Sequence, residues 1–170
     1  RKARNNHIHI LTVKIGGRRG ALPALFLALG FRILIAMNRI IVSQSTNPWE
    51  NLAFEERLFL LHEEEARRQA TAVTLYLWQN ERTVVIGRNQ NAWKECRVAA
   101  LEAEQGKLAR RMSGGGAVYH DLGNLNFTFL LPRAAFDIRR QFAVIQQALG
   151  RLGVGSVLSG RNDLTLPDGG

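Results

Sequence analysis

Residues 110–124 read Arg-Arg-Met-Ser-Gly-Gly-Gly-Ala-Val-Tyr-His-Asp-Leu-Gly-Asn. Three consecutive glycines cost backbone entropy, so the interior of a helix or strand does not favour them. They suit a loop whose amides approach a ligand at hydrogen-bonding distance. Arg110 and Arg111 add two cations beside those amides, which points to an anion and most directly to phosphate. A glycine-rich hairpin with a solvated basic flank is the plainer reading of Gly114-Gly115-Gly116 alone. The whole string, with charge, pliability and a following strand in one place, points to a ligand loop.

Working outward, Lys107–Arg111 is expected as a strand entering this loop. Ala117–His120 and Asn124–Leu131 are expected as strands leaving it, separated by a turn at Asp121–Asn124. Val73–Trp78 alternates apolar and polar positions, and Thr83–Gly87 follows after Asn80-Glu81-Arg82, so these two strands are expected to pair as a hairpin. Arg39–Ser43 reads as a short strand. Asn47-Pro48-Trp49-Glu50 opens a helix, with Asn47 as cap and Pro48 at its first position. Leu52, Phe54, Leu58, Phe59, Leu61 and Ala66 are expected inside it; Glu55, Glu56 and Glu63–Glu65 outside. Glu95–Gln105 is expected as one helix closed by Gly106, and Phe136–Leu152 as an amphipathic helix ending at Gly153. Val157–Leu158 and Leu164–Leu166 complete the pattern as short strands. Strands outnumber helices and short turns join many of them. The expected fold class is therefore α/β in the α+β sense: a mixed, largely antiparallel sheet flanked by helices.

The net charge of +9 on 170 residues suggests a nucleic-acid binder until it is located. Residues 1–36 hold seven of the 23 basic residues and no acid, which leaves 16 bases against 14 acids beyond them. The remainder is nearly balanced, so no nucleic-acid partner is expected. Residues 21–37 form an apolar run interrupted by Pro23 and Arg32, short for a membrane span, and no membrane partner is expected. A secretory signal would need a small-residue cleavage site, and a transit peptide more hydroxyl residues than Thr12 alone. Residues 1–36 are accordingly read as a basic leader or extraneous upstream segment, and 37–170 as the domain. The single cysteine, Cys96, excludes an internal disulfide framework and fits a reducing compartment.

No Gly-x-x-x-x-Gly-Lys-Ser/Thr string and no Gly-x-Gly-x-x-Gly opening a helix is present, which removes the common phosphate and dinucleotide loops. No clustered ligand set suggests a metal site. Cys96 falls near the start of an expected helix, where a thiolate is favoured, but a bystander thiol is the commoner case. His120 lacks a paired nucleophile, so it reads as a group that orients a ligand or the loop. Arg88 follows a strand-ending glycine and could line the same pocket. Arg161 and Asp163 sit in a polar turn that could equally place a cation and an amide beside an anion. Trp49, Trp78 and Trp93 read mostly as core, with an apolar tunnel as the alternative.

Taken together, Asn47-Pro-Trp-x-Asn-Leu-Ala-x-Glu-Glu56, Val84-Val-Ile-Gly-Arg-x-Gln-Asn91, Trp93-Lys-Glu-Cys96, Leu108-Ala-Arg-Arg-x-Ser-Gly-Gly-Gly-Ala-Val-Tyr-His-Asp-Leu-Gly-Asn124 and Ser159-Gly-Arg-Asn-Asp-Leu164 resemble the lipoate–protein ligases in order and spacing. The resemblance runs from about Met37 to Asp168. It implies the fold of the biotin/lipoate ligase catalytic domain and two reactions. Lipoate and ATP, accompanied by Mg2+, give lipoyl-adenylate. A lysine of an acceptor then takes the lipoyl group, the acceptors being lipoyl-domain proteins of 2-oxoacid dehydrogenases and the glycine cleavage H protein. Carried over position by position, Arg111, Gly116, Ala117, Val118, Tyr119, Arg161 and Asp163 are expected at the ATP or adenylate, and Gly115, His120 and Arg88 at lipoate. The family carries a lysine shortly after the Asp-Gly segment. That residue is expected beyond Gly170, so the 170 residues alone are expected to adenylate poorly. An ATP-independent lipoyl or octanoyl transferase and a non-catalytic adenylate-binding remnant are the alternatives. A bacterial cytoplasm is the expected location, with the mitochondrion as alternative.

Overall fold

The computed structural model describes residues 9–16, 39–67, 73–159 and 163–167. Its strands are β1 (His9–Gly16), β2 (Arg39–Val42), β3 (Thr74–Trp78), β4 (Thr83–Ile86), β5 (Lys107–Arg110), β6 (Val118–His120), β7 (Asn124–Leu131), β8 (Val157–Ser159) and β9 (Asp163–Thr165). The helices are α1 (Pro48–Arg67), α2 (Ala92–Glu95), α3 (Val98–Ala103) and α4 (Ile138–Arg151).

The strands divide among three sheets, ordered β1-β7-β3-β2, β5-β4-β6 and β8-β9. Four of the six pairings are antiparallel, and β2–β3 and β4–β5 are parallel. This is the mixed, largely antiparallel α+β architecture expected from the sequence, although the strands do not form one sheet. His9–Gly16 pairs along its whole length with β7, His9 opposite Leu131 and Gly16 opposite Asn124. Leu11, Val13 and Ile15 alternate with Thr12 and Lys14 there, a period-two pattern that the basic flank obscured.

β7 is buried at all eight positions and organises the core. Its odd-numbered residues Leu125, Phe127, Phe129 and Leu131 join Leu75 and Leu77 of β3 against Phe142, Ile145, Ala148 and Leu149 of α4. Leu130, with Tyr76 and Trp78, packs on the opposite face against Leu58 of α1. The four-stranded sheet is thus held between two helices. α4 starts at Asp137, whose carboxylate accepts from the amides of Arg139 and Arg140. It ends, as expected, at Gly153, with the Val154 amide donating back to Leu149 O and the Gly153 amide to Gly150 O.

Two sequence expectations are corrected. β3 and β4 are not a hairpin. Both edges of β3 are occupied, by β2 and β7, so β4 finds no place beside it and pairs with β5 and β6 instead. The segment between β3 and β4 carries the chain from one sheet to the other. Asn80 within it is buried rather than exposed at a turn tip. The expected helix 95–105 is two short helices broken at Cys96 and Arg97, and Cys96 caps the end of α2 through its amide to Ala92 O. After α3 the Gly106 amide donates back to Leu101 O at 2.7 Å, and a Cβ at Gly106 would lie 3.0 Å from that oxygen.

Candidate active site

The three-stranded sheet explains the glycine loop. β5 lies on one side of β4 in parallel register, Arg110 opposite Ile86; β6 lies on the other side, antiparallel, Val118 opposite Val85. Residues 111–117 must therefore arch over the end of β4, where Gly87 begins the next loop. The arch passes so close that a Cβ on Gly87 would lie 2.2 Å from Gly115 O. Gly115 takes φ +99°, a conformation open to glycine and strained for other residues. A Cβ on Gly114 or Gly116 would meet nothing within 4 Å, and both are exposed. Packing within the protein does not demand glycine at those two positions.

The adjacent arginines secure different loops. Arg110 Nη1 donates to the carbonyls of Gly87, Arg88 and Gln90, at 3.1, 3.1 and 2.7 Å. Arg111 turns inward to the arch. Its Nη2 donates to Gly114 O and Gly116 O at 2.8 and 2.7 Å, Nε to Gly114 O at 3.2 Å, and Nη1 to Val85 O at 3.3 Å. Burial lowers the pKa of this guanidinium, and attraction to Glu55 opposes the shift. The loops also join directly, the Arg88 amide donating to Ser113 O at 2.9 Å. Arg88's side chain is exposed on that junction.

Beneath the arch lies a buried polar layer. α1 turns Asn51, Glu55, Leu58 and His62 inward along one stripe, and three of the four are polar. Glu55 accepts from Thr128 Oγ1 at 2.5 Å, and Thr128 Oγ1 accepts from the Trp78 indole at 3.2 Å. Asn51 Nδ2 donates to Ser45 O, Gln79 O and Asn80 Oδ1 at 3.0, 2.8 and 3.0 Å. Its Oδ1 accepts from Tyr76 OH at 3.0 Å and Ser43 Oγ at 2.5 Å. Asn80 Nδ2 lies 3.2 Å from His120 Nδ1, and the His120 ring meets Trp78 edge-on. Burial raises the Tyr76 phenol to about 12.

Of the residues expected at the site, Arg88, Arg111, Gly115 and Gly116 come together on the two joined loops. Ala117, Val118 and Tyr119 follow on the descending limb, Val118 and Tyr119 exposed. His120 closes β6 in the interior, 4 % exposed. Arg161 lies outside the described residues. Asp163 begins β9 opposite Ser159, and the next residue, Leu164, packs against the α4 core. Trp78 is buried, but Trp49 and Trp93 are exposed, contrary to their reading as core. Trp49 instead caps the outer sheet, its indole donating to Leu108 O at 3.2 Å. Glu55 was expected outside and is 4 % exposed. Sequence reasoning missed it, with Asn51 and Asn80. The spacing 51-55-58-62 was the available signal, since these positions fall on one face of a helix. Among the described residues no group of three or more His, Cys, Asp or Glu could hold a metal ion, and no helix is long and apolar enough to cross a membrane.

Comparison with known proteins supports this fold. Lipoate-protein ligase A of Psychrobacter cryohalolentis is 50% identical over 130 residues, which are 76% of this chain and 37% of that protein. The chain thus spans well under half the length of that relative. The crystal structure of P. falciparum LipL1 in complex with lipoate superposes with a TM-score of 0.67 at 34% identity, covering 76% of this chain and 40% of that one. A lipoate-protein ligase A bound with ATP gives a TM-score of 0.52 at 29% identity, over 77% and 53% of the two chains. The family model of the lipoyl protein ligase A/B catalytic domain matches residues 47–169, from the cap of α1 through both joined loops, and the chain belongs to that family.

Proposed function

We propose that the chain forms the acyl-adenylate site of an ATP-dependent lipoate–protein ligase. The lipoate carboxylate attacks the α-phosphorus of ATP and pyrophosphate departs, leaving lipoyl-adenylate. The ε-amine of an acceptor lysine then attacks the acyl carbonyl and AMP departs, leaving an amide. The acceptors are lipoyl domains of 2-oxoacid dehydrogenases and the glycine cleavage H protein, and the setting is the bacterial cytoplasm.

One observation carries the reading: two arginine-stapled loops meet over a buried polar layer that contains His120 and Trp78. The reaction brings two anions together, so it needs cations and amide donors at the junction. Arg88 and Arg111 offer the cations, and the 114–117 backbone offers the donors. Glycine at 114 and 116 leaves open space where an adenylate can reach the backbone. A mixed anhydride also needs shelter from water, and an arch over β4 is placed to give it. Trp78, Tyr76 and His120 supply an aromatic wall for the acyl chain. Arg111 is engaged with the arch's own carbonyls, so contact with a phosphate requires that it exchange partners and that the arch move with it. The described residues provide no metal cluster, and Mg2+ would arrive on the phosphates of the nucleotide and neutralise charge there.

The test is pyrophosphate release by the intact protein. Release that requires both lipoate and ATP supports the ligase. Lipoyl transfer from a carrier without ATP would show the transferase instead.

A further inference from the structure

We infer that Asn51 and Asn80 are positioning residues that fix the tautomer of His120, holding its proton on Nε2. Asn51 Nδ2 faces two backbone carbonyls, Ser45 O and Gln79 O, and a carbonyl cannot donate. That settles which end of the Asn51 amide is nitrogen. The third atom within reach of this nitrogen, at 3.0 Å, cannot be the Asn80 amide nitrogen, because donor would then face donor; it is the acceptor Asn80 Oδ1, which shares one of the two Asn51 hydrogens. Asn80 is fully buried, and its other end, Nδ2, then faces His120 Nδ1 at 3.2 Å. An amide nitrogen only donates, so Nδ1 accepts and carries no hydrogen. The proton of the neutral ring sits on Nε2, which becomes the ring's donor.

The chain of orientation starts on α1, crosses the β3–β4 connection and ends on the strand that descends from the glycine arch. It explains why buried asparagines stand at 51 and 80, where an apolar residue would fill the space at lower desolvation cost. Resting on the proposed lipoyl-adenylate site, the consequence is chemical. An acyl oxygen that reaches Nε2 of His120 would meet an N–H there and no lone pair. His120 then acts as a fixed hydrogen-bond donor to the ligand and not as a base.

Two measurements test this on the intact chain. The first is the 15N spectrum of the imidazoles at neutral pH, with His120 assigned through His120→Gln. His120 should show a protonated Nε2 and an unprotonated, accepting Nδ1, and Asn80→Asp should move the proton to Nδ1 because a carboxylate only accepts. A wild-type ring protonated on Nδ1 or on both nitrogens overturns the assignment, as does an unmoved proton in Asn80→Asp. The wild-type spectrum decides even if the variant does not fold. The second measurement is affinity for lipoyl-sulfamoyl-adenosine, a non-hydrolysable adenylate mimic. His120→Gln keeps a donor near the Nε2 position and should bind within about threefold of wild type. His120→Asn, whose amide reaches only the Nδ1 position, and Asn80→Asp should each lose roughly tenfold, the worth of one hydrogen bond at the upper end of its range. Equal affinities across all three variants overturn the positioning role. If the wild type does not bind the mimic, the ligand reading falls, and the spectrum still decides the tautomer.

Discussion

At the scale of single residues, the site is a set of close approaches. Gly87 is the tightest. Gly87→Ala places a methyl carbon 2.2 Å from the Gly115 carbonyl, and neither backbone can yield without opening the arch. Overpacking of this kind costs about 1–3 kcal/mol. Denaturant unfolding should show that loss, and affinity for the adenylate mimic should fall at least tenfold with it. An unchanged affinity would mean that the arch is not part of the binding surface. Arg110 is turned to the 87–90 loop. Arg110→Met keeps the apolar stem and removes the donor to three carbonyls. Amide exchange in residues 87–91 should quicken while β7 stays protected; equal protection in both proteins would show that the staple does not hold the loop.

At the scale of elements, the sequence was legible where one local rule decides. The Asn47-Pro48 start of α1, the C-terminal end of α4 and the strand character of β5, β6 and β7 all follow from caps, glycines and alternation. The Asp137 carboxylate accepts from two amides of α4, so Asp137→Ala should cost about 1 kcal/mol in chemical unfolding. What was not legible depends on which edge a strand finds. β3 and β4 have a hairpin's sequence, but β2 and β7 occupy both sides of β3, so β4 has no place beside it. The inner stripe of α1 misled for a related reason. Charge usually marks the solvent face, yet Glu55 turns inward because Thr128 and the Arg111 charge await it there, and neither is near it in sequence. The arginines show the same limit. Their nearness to the glycines suggested a common anion, whereas the register of β5 against β4 gives them two separate loops.

At the scale of the whole molecule, pH exposes how far the buried polar layer extends. At the opposite end of α1 from Asn51, His62 touches Thr74 Oγ1 at 2.7 Å and Arg39 Nη2 at 3.3 Å, and Arg39 also grips Glu65 at 2.6 Å. Burial first, and the Arg39 charge second, hold His62 below its ordinary 6.5. The hydrogen bond from Arg39 holds Glu65 below 4.5. In both cases the unfolded chain takes up the proton first as pH falls, so stability is complete above about 6.5 and declines below it. Tyr76 acts at the other limit: raised to about 12, it loses stability to the ionised unfolded phenol as pH rises past 10. Unfolding free energy should therefore be level between about pH 6.5 and 10 and fall on both sides. His62→Gln should flatten the first part of the acid limb, and an unaltered limb would remove His62 as its cause.

The family and the fold of this chain are settled by the match over residues 47–169, and the arch over β4 is the feature that gives them a chemical purpose. Titration of the intact protein with lipoyl-sulfamoyl-adenosine, followed by amide exchange, tests that purpose most directly. Saturable binding that slows exchange in residues 112–117 and 87–91 together is the predicted result. No binding, or binding that leaves both loops exchanging as before, would contradict it.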